Sequence, residues 1–509
     1  MNRIDMEEKI RNAYDTVSSV NGEAFKDIFL MSNPVLSKTA YNNDFLHNYL
    51  NGNDPGPHSV FQVALKILMY YLKSAVHFAA YMITFVEHHL FMNKFKISRD
   101  SDELVLIDTY FVMDRIRKAE KFEEWLFPGL EDLLKKKARH YAYLPFFYSS
   151  PYAKRLPESC GVMKILKRDM VPVLAEYQLL TIGDLLRMAC FIVTYPLHVA
   201  SLLKKIIPDS HEKKLLRYEL IDTIDQVTFH SFSRYLQGRR ISGLPYRRIK
   251  VISWYENQPV HKNLYRGMRS DPSKVRIYGA QLFLHSKNYI PIIPDVNEES
   301  FGVIPDRIIA NGEYYMPERS KFDYRVGPSL RYARVFNTII RRENQKNILI
   351  LLPYVEATAE NIIRTFLGSK LPHDNVFVKL HPGTPLEKIR SIIPPDMVIT
   401  GDDTYKLFES AKIVISAASG TLIEAASLGI AAISIKNGKR FDYDNPLIEY
   451  GRGIIWDEAF GADELARHVE KFKRAMENDA ESLIAVADRY RKIFFREVTQ
   501  AGIEEAFDL

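Results

Sequence analysis

Between residues 347 and 436 the chain alternates short apolar runs with helix-length segments. The runs are NILILLPY (347–354), NVFVKLHP (375–382), MVIT (397–400), KIVISAASG (412–420) and AAISIK (431–436). Helical segments at 358–367, 386–393, 404–410 and 421–428 fill the gaps. The runs are apolar on consecutive rather than alternate residues, as befits strands buried on both faces. Strand and helix in alternation close as a parallel sheet, because parallel neighbours need a crossover connection.

The same pattern occurs earlier. LVLIDTYF (104–111) reads as a buried strand, followed by a helix at 130–139 and a strand at 141–147. A mainly helical stretch covers 171–235. IKVISWYE (249–256), a helix at 259–269, VRIYGAQ (275–281) and DRIIAN (306–311) then resume the alternation. At 509 residues the chain is too long for one hydrophobic core. Gly327-Pro328 in KFDYRVGPSLRYA marks a junction. The expected fold class is α/β, two tandem Rossmann-like domains with an added helical N-terminal region. The expected divisions are 1–100 (helical), 101–330 (Rossmann-like with a helical insertion) and 331–509 (Rossmann-like).

A formal net charge of +6 suits an anionic partner, and no dense Lys/Arg tract with interleaved aromatics supports nucleic-acid binding. Cys160 and Cys190 stand in no metal-ligand spacing, and two cysteines in so long a chain fit a reducing compartment. The N-terminus lacks the basic-then-apolar order of a signal peptide. Two stretches, 60–92 and 179–207, are long and apolar but interrupted. Lys66, Lys73, His77 and Glu87 interrupt the first, and Asp184, Arg187, His198, Lys204 and Lys205 the second. A charge at a bilayer centre costs about 2.5 to 3.5 kcal/mol, so both read as buried or interfacial helices rather than spanning ones, an ordinary core helix coming before one docked on a membrane surface. The expected location is cytoplasmic, peripheral on the inner face of a membrane.

The strongest local signal is SAASGTLIEAASLGIAAISI (416–435), a strand that ends in a small-residue loop and enters a helix. Helix N-termini favour anions, and small residues such as Gly420 admit a phosphate to the backbone. Ser416, Ser419 and Thr421 offer hydroxyls, and Glu424 an acceptor for ribose hydroxyls. The bland alternative is a Ser/Thr cap on a structural helix. The second signal is VKLHPGTP (378–385), with His381 at a strand's carboxyl end and Lys379 on the same face. Imidazole there can donate to a phosphate oxygen. Two strand-end carboxylates, Glu256 and Asp108, are candidate general bases. Gln281, His285 and Asp306 are weaker candidates, and Tyr354 and Glu356 are candidate pocket-lining residues. No Walker A, GxGxxG, HExxH or GxSxG pattern is present. Asp402-Asp403 reads as a solvated pair rather than a metal site, so no metal or cofactor is expected.

The strand-terminal His-Pro and the later Ser/Thr-rich loop together resemble the C-terminal half of GT-B glycosyltransferases that use CMP-linked donors, such as bacterial sialyltransferases and Kdo transferases. The run SGTLIEAASLG is also similar to the donor loop of lipid A disaccharide synthase and of the peptidoglycan N-acetylglucosaminyltransferase. FPGLEDLLKKKARHYAYLPFF and WYENQPVHKNLYRGMR resemble bacterial surface-carbohydrate biosynthesis proteins. The resemblance implies a GT-B fold with an acceptor domain at 101–330 and a nucleotide-sugar-binding domain at 331–509. It implies transfer of a sugar, Kdo or another CMP-linked one, to a surface glycan or lipid-linked glycan. His381 would contact the nucleotide, and Ser416, Ser419 and Thr421 the phosphate. The Glu-x7-Glu pattern of many retaining hexosyltransferases is incomplete, because Ser416 stands where the first acid would be and Glu424 where the second would. A CDP-glycerol-type polymer transferase, an epimerase on the same fold and a non-catalytic assembly protein are the alternatives.

Overall fold

Both alternating series fold into six-stranded sheets. The computed structural model describes residues 3–38, 44–53, 56–99, 101–148, 155–318, 320–381, 386–436 and 446–509. The first sheet holds β1 (Glu103–Val112), β2 (Tyr141–Tyr148), β3 (Arg248–Trp254), β4 (Val275–Ala280), β5 (Arg307–Ala310) and β6 (Tyr324–Val326), in the order β2-β1-β3-β4-β5-β6. The five strands from β2 to β5 run parallel, and β6 completes the edge. The second sheet holds β7 (Asn347–Leu351), β8 (Val376–Lys379), β9 (Val398–Thr400), β10 (Ala411–Ser416), β11 (Ala431–Ile435) and β12 (Trp456–Ala459). All its pairs are parallel, in the order β12-β11-β10-β7-β8-β9. Two tandem Rossmann-like α/β sheets with an added helical N-terminal region are therefore the architecture.

The chain divides into two compact units. One is Met1–Gln281, Ile290–Ile309 and Ser320–Tyr324; the other is Leu282–Tyr289, Ala310–Arg319 and Arg325–Leu509. The N-terminal helices thus belong to the first unit. A buried ionic cluster fastens them there. Lys262 Nζ lies 2.8 Å from Glu298 Oε1 and donates to the Ser37 carbonyl, while Lys38 reaches Glu298 at 3.1 Å and Asp295 at 2.9 Å. Lys262 and Glu298 are fully buried. Charges in such a place hold only while each keeps its partner.

Within the first unit the helices Phe229–Ser242 and Pro259–Met268 cross at Gly238 and Gly267. A Cβ at Gly238 would lie 2.3 Å from the Leu264 carbonyl oxygen, and one at Gly267 2.1 Å from that of Tyr235. Only glycine permits this approach, which fixes Arg234 behind β1 and the turn after β3.

The expectation of core helices is corrected for the longer apolar stretch. The helix Val60–Phe91 turns Tyr70, Ser74, Tyr81 and His88 inward and exposes Phe61, Leu65, Leu68, Leu72, Val76, Ile83, Val86 and Leu90. Its interrupting charges are satisfied by the protein: Lys66 pairs with Asp222, Lys73 with Asp225, and Glu87 accepts from Ser159. The helix Ile182–Lys205 does bury a core face, including Met188, Phe191, Tyr195 and Val199, but leaves Ile182, Leu186, Val193 and Leu197 exposed.

Candidate functional site

The second sheet reverses its order between β7 and β10, whose strands pair directly. The crossover after β7, the helix Glu356–Gly368, packs on one face with Ile362, Ile363 and Phe366. The crossover after β10, the helix Gly420–Ser427, packs on the other with Leu422, Ile423 and Ala426. Where chains leave in opposite directions, the carboxyl ends of the two strands are the usual ligand position in such sheets.

Ser419 caps the Gly420–Ser427 helix. Its Oγ accepts from the Thr421 amide at 3.3 Å and lies 2.9 Å from Thr421 Oγ1. Ser419, Gly420 and Thr421 are all half-buried. Ser416 belongs elsewhere: its hydroxyl is buried and donates to the Leu351 carbonyl at 2.8 Å, stitching β10 to the end of β7. The expectation that Ser416 meets phosphate is corrected, because its one proton is already given to the backbone. Gly420 also differs from expectation. The group that its missing side chain admits is Leu284, whose Cβ would lie 2.9 Å from a Cβ at residue 420. Leu284, in the segment Leu282–Tyr289, covers that flank of the helix start.

Glu424, one turn into the helix, accepts from the Tyr405 hydroxyl at 2.5 Å. Burial raises its pKa, while the Tyr405 bond and the nearby Arg331 and Arg334 pull it back. Arg334 lies 4.5 Å over the Tyr405 ring and pairs with Asp403 at 2.6 Å. Tyr405 escaped the sequence reading because a tyrosine in a short amphipathic helix carries no local signal. Asp402 and Asp403 both stand exposed. Asp403 caps the Thr404–Phe408 helix and pairs with Arg334, and the Asp402 carbonyl accepts from Lys379 Nζ at 2.5 Å.

Lys379 is the last residue of β8, half-buried, and desolvation lowers its pKa against the pull of Asp403 and Asp402. His381 follows two residues later, exposed, with its ring 5.8 Å from that of Tyr354. Partial desolvation lowers its pKa, which favours the neutral imidazole. Tyr354, beyond β7, is 56% exposed. Ser419, Thr421, Tyr354, Glu356 and His381 are thus among the accessible polar groups beyond the ends of β10, β7 and β8. Pro382 and the three residues after it in the His-Pro-Gly-Thr-Pro motif lie outside the described residues.

The first sheet reverses between β1 and β3. Asp108 was expected at a strand end, but β1 continues to Val112 and leaves Asp108 mid-strand with no exposure. Its carboxylate pairs with Arg234 at 2.5 Å and accepts from Ser253 Oγ at 2.6 Å, and Tyr265 donates to Ser253. A carboxylate so enclosed has no route to an acceptor hydroxyl. Glu256 does stand beyond the end of β3, half-buried, accepting from Gln258 Nε2 at 2.5 Å. The turn after it is held by Asn257, which adopts φ 54° and donates to the Pro291 carbonyl.

Of the weaker candidates, His285 is buried with its pKa lowered to about 4, Gln281 is buried, and Asp306 pairs with Arg269. His261 is fully buried and accepts from the Gln258 amide as part of a helix cap. Among the described residues no group of three or more His, Cys, Asp or Glu is placed to hold a metal ion.

No protein-family model and no curated protein matches the sequence. Among solved structures, MurG of Acinetobacter baumannii overlaps with a TM-score of 0.41 at 11% identity, covering 80% of this chain and 99% of that one. The UDP-GlcNAc 2-epimerase of Neisseria meningitidis, bound to UDP-GlcNAc, overlaps at 0.42 and 10%, covering 79% and 98%. Anabaena HepE with UDP and glucose overlaps at 0.40 and 11%, covering 77% and 95%. These are loose likenesses of architecture, and the strand orders above stand on their own.

Proposed function

We propose that this chain is a glycosyltransferase of the GT-B type, taking a sugar from a nucleotide donor held at the carboxyl ends of β7 and β10. One observation carries the reading: a capped helix begins at the reversal point of the second sheet with the Ser419 and Thr421 hydroxyls accessible. As the sugar leaves, negative charge gathers on the nucleotide phosphate. One of the two hydroxyls donates to the other and the Thr421 amide to Ser419 Oγ; the remaining hydroxyl and the Gly420 amide donate to the phosphate, and preorganised donors of this kind stabilise a transition state more than a ground state. His381, neutral at pH 7, donates one ring N–H to the same oxygens. Lys379 adds positive charge beside β8. Glu256 takes the proton of the acceptor hydroxyl. The sequence resemblance favours a CMP-linked donor such as CMP-Kdo and a surface-glycan acceptor, with the enzyme on the cytoplasmic side of a bacterial membrane.

The test is a thermal-shift screen of the full chain with CMP, CDP, UDP and GDP. A nucleotide present at a hundred times its Kd stabilises by about 2.7 kcal/mol. We expect a shift with one or two of the four, reduced in Ser419→Ala and Thr421→Val. No shift with any nucleotide at millimolar concentration overturns the reading. A second reading, a non-catalytic assembly protein on the same fold, is favoured by one observation, the covering of Gly420 by Leu284. It gains if the screen is blank. A CDP-glycerol-type polymer transferase gains if CDP alone binds.

A further inference from the structure

The helix Val60–Phe91 has its polarity inverted. Over its length the protein side carries Lys66, Tyr70, Ser74, Tyr81 and His88, and the outer side carries mainly aliphatic and aromatic groups, with Gln62, Lys73 and His89 also exposed. Val76 is 70% exposed and Phe61 76%. The outer face of Ile182–Lys205 adjoins it, since Tyr71 Oη donates to the Val193 carbonyl. A contiguous apolar surface on this scale marks an interaction site.

Two features identify the occupant. First, each helix contains a single carboxylate, and both are turned inward: Glu87 accepts from Ser159, and Asp184 is 1% exposed and paired with Arg240. Cations gather at the ends. Lys94, Lys96 and Arg99 follow the first helix without an intervening acid, Lys164 lies 5.1 Å over the Phe91 ring, and Lys204 and Lys205 close the second. Lys205 is shared with Glu23. An apolar face with a basic rim complements anionic lipid. A second copy of the same face would offer it no opposite charge.

Second, the face opens inward. A cavity of about 610 Å³ lies behind the first helix, within the range of about 300 to 1,000 Å³ usual for ligand pockets. Val76 and Ile83 line it and also stand exposed, so the same residues border the cavity and the outer face. Phe146 and Phe147, at the end of β2, form its wall. Glu176 and Arg234 supply polar groups, and the buried Arg234 Nε has no hydrogen-bond partner among the described residues.

We propose that these two helices seat the chain flat on an anionic bilayer, and that the cavity receives the hydrocarbon chain of a membrane amphiphile from that surface. The seating is flat rather than spanning. The 32-residue helix is about 48 Å long, and the protein holds its inner side from Lys66 to Glu87. The seating stands without the transferase reading; identifying the amphiphile as the sugar acceptor rests on that reading.

The experiment is flotation of the full chain with phosphatidylcholine vesicles, with and without phosphatidylglycerol. We expect flotation that strengthens with phosphatidylglycerol and falls at least tenfold in Leu72→Glu/Val76→Asp, both exposed sites, with unchanged circular dichroism. Absent flotation, or equal flotation by the variant, overturns the seating. So does a dimer, by light scattering, that the variant dissociates without any vesicle binding. For the cavity, vesicles carry a diazirine-tailed phospholipid. Label on the peptide holding Phe146 and Phe147, reduced in Ala80→Trp while flotation persists, supports it. Label confined to the outer helices overturns it. The nucleotide-induced shift is measured on the same variants. It persists in them if donor binding is sound, so failure of the seating and failure of the transferase reading are read separately.

Discussion

The two sheets present the same kind of edge and use it differently. Around the reversal point of the first sheet most of the polar groups named above are consumed by structure, Asp108 by Arg234 and Ser253, His261 by a helix cap, Glu298 by Lys38 and Lys262, while Glu256 stays half-buried beyond β3. Beyond that of the second, Ser419, Thr421, Tyr354 and His381 keep accessible surface. A titratable residue near a strand end is therefore a poor guide to chemistry until its exposure is known. The buried ion pairs of the first unit are costly to break, whereas the accessible groups of the second are expendable for folding.

This contrast breaks down most visibly if Glu298→Ala is tolerated. Removing it strips a partner from two buried lysines, and the loss expected in urea unfolding is about 3 to 5 kcal/mol. A loss under about 1 kcal/mol, the scale of a surface pair, would mean that the cluster is solvated. His381→Ala bears on the other side. On the transferase reading it lowers kcat about 10²- to 10³-fold, the scale of a lost oxyanion donor, with the melting temperature unchanged. Unaltered turnover removes His381 from the mechanism.

A pH titration of stability sharpens the picture at His285. Its folded pKa, lowered to about 4 by burial, lies below the ordinary 6.5. Between those values the unfolded chain binds the proton more readily, so this contribution is present above pH 6.5 and is lost as pH falls toward 4. At pH 5.5 the loss is about 1.4 kcal/mol, and His285→Asn should flatten that part of the profile. A slope unchanged in the variant would show that the ring is not shielded. The smallest effect separates two serines of one loop. Ser416→Ala and Ser419→Ala should each cost about 1 kcal/mol, one through a buried hydrogen bond and one through a cap. Only Ser419→Ala should weaken nucleotide binding in the thermal-shift screen. Equal weakening in both would return Ser416 to the phosphate site.

Much of the fold was legible. The consecutive apolar runs of β7, β10 and β11 are what strands covered on both faces require, and the helices between them leave little choice of topology. The edge strands β6 (Tyr-Arg-Val) and β12 (Trp-Asp-Glu-Ala) escaped because an edge tolerates charge and brevity. Less of the site was legible. Ser416 and Ser419 lie three residues apart in one small-residue loop, yet one is sealed and the other accessible. Nothing local separates them. Asp108 reads as terminal only because the sequence does not say where β1 stops.

The order of apolar and polar residues along the chain determined by itself that two parallel α/β sheets would form, because burying such runs on both faces is the favourable way to remove them from water. Tertiary packing alone decided which polar groups remained for chemistry and which face of the longest helix turned outward. Both depend on partners distant in sequence, such as Arg234 for Asp108, Leu351 for Ser416 and Asp222 for Lys66, and pairing a charge or a hydroxyl inside the protein is what removes it from the surface.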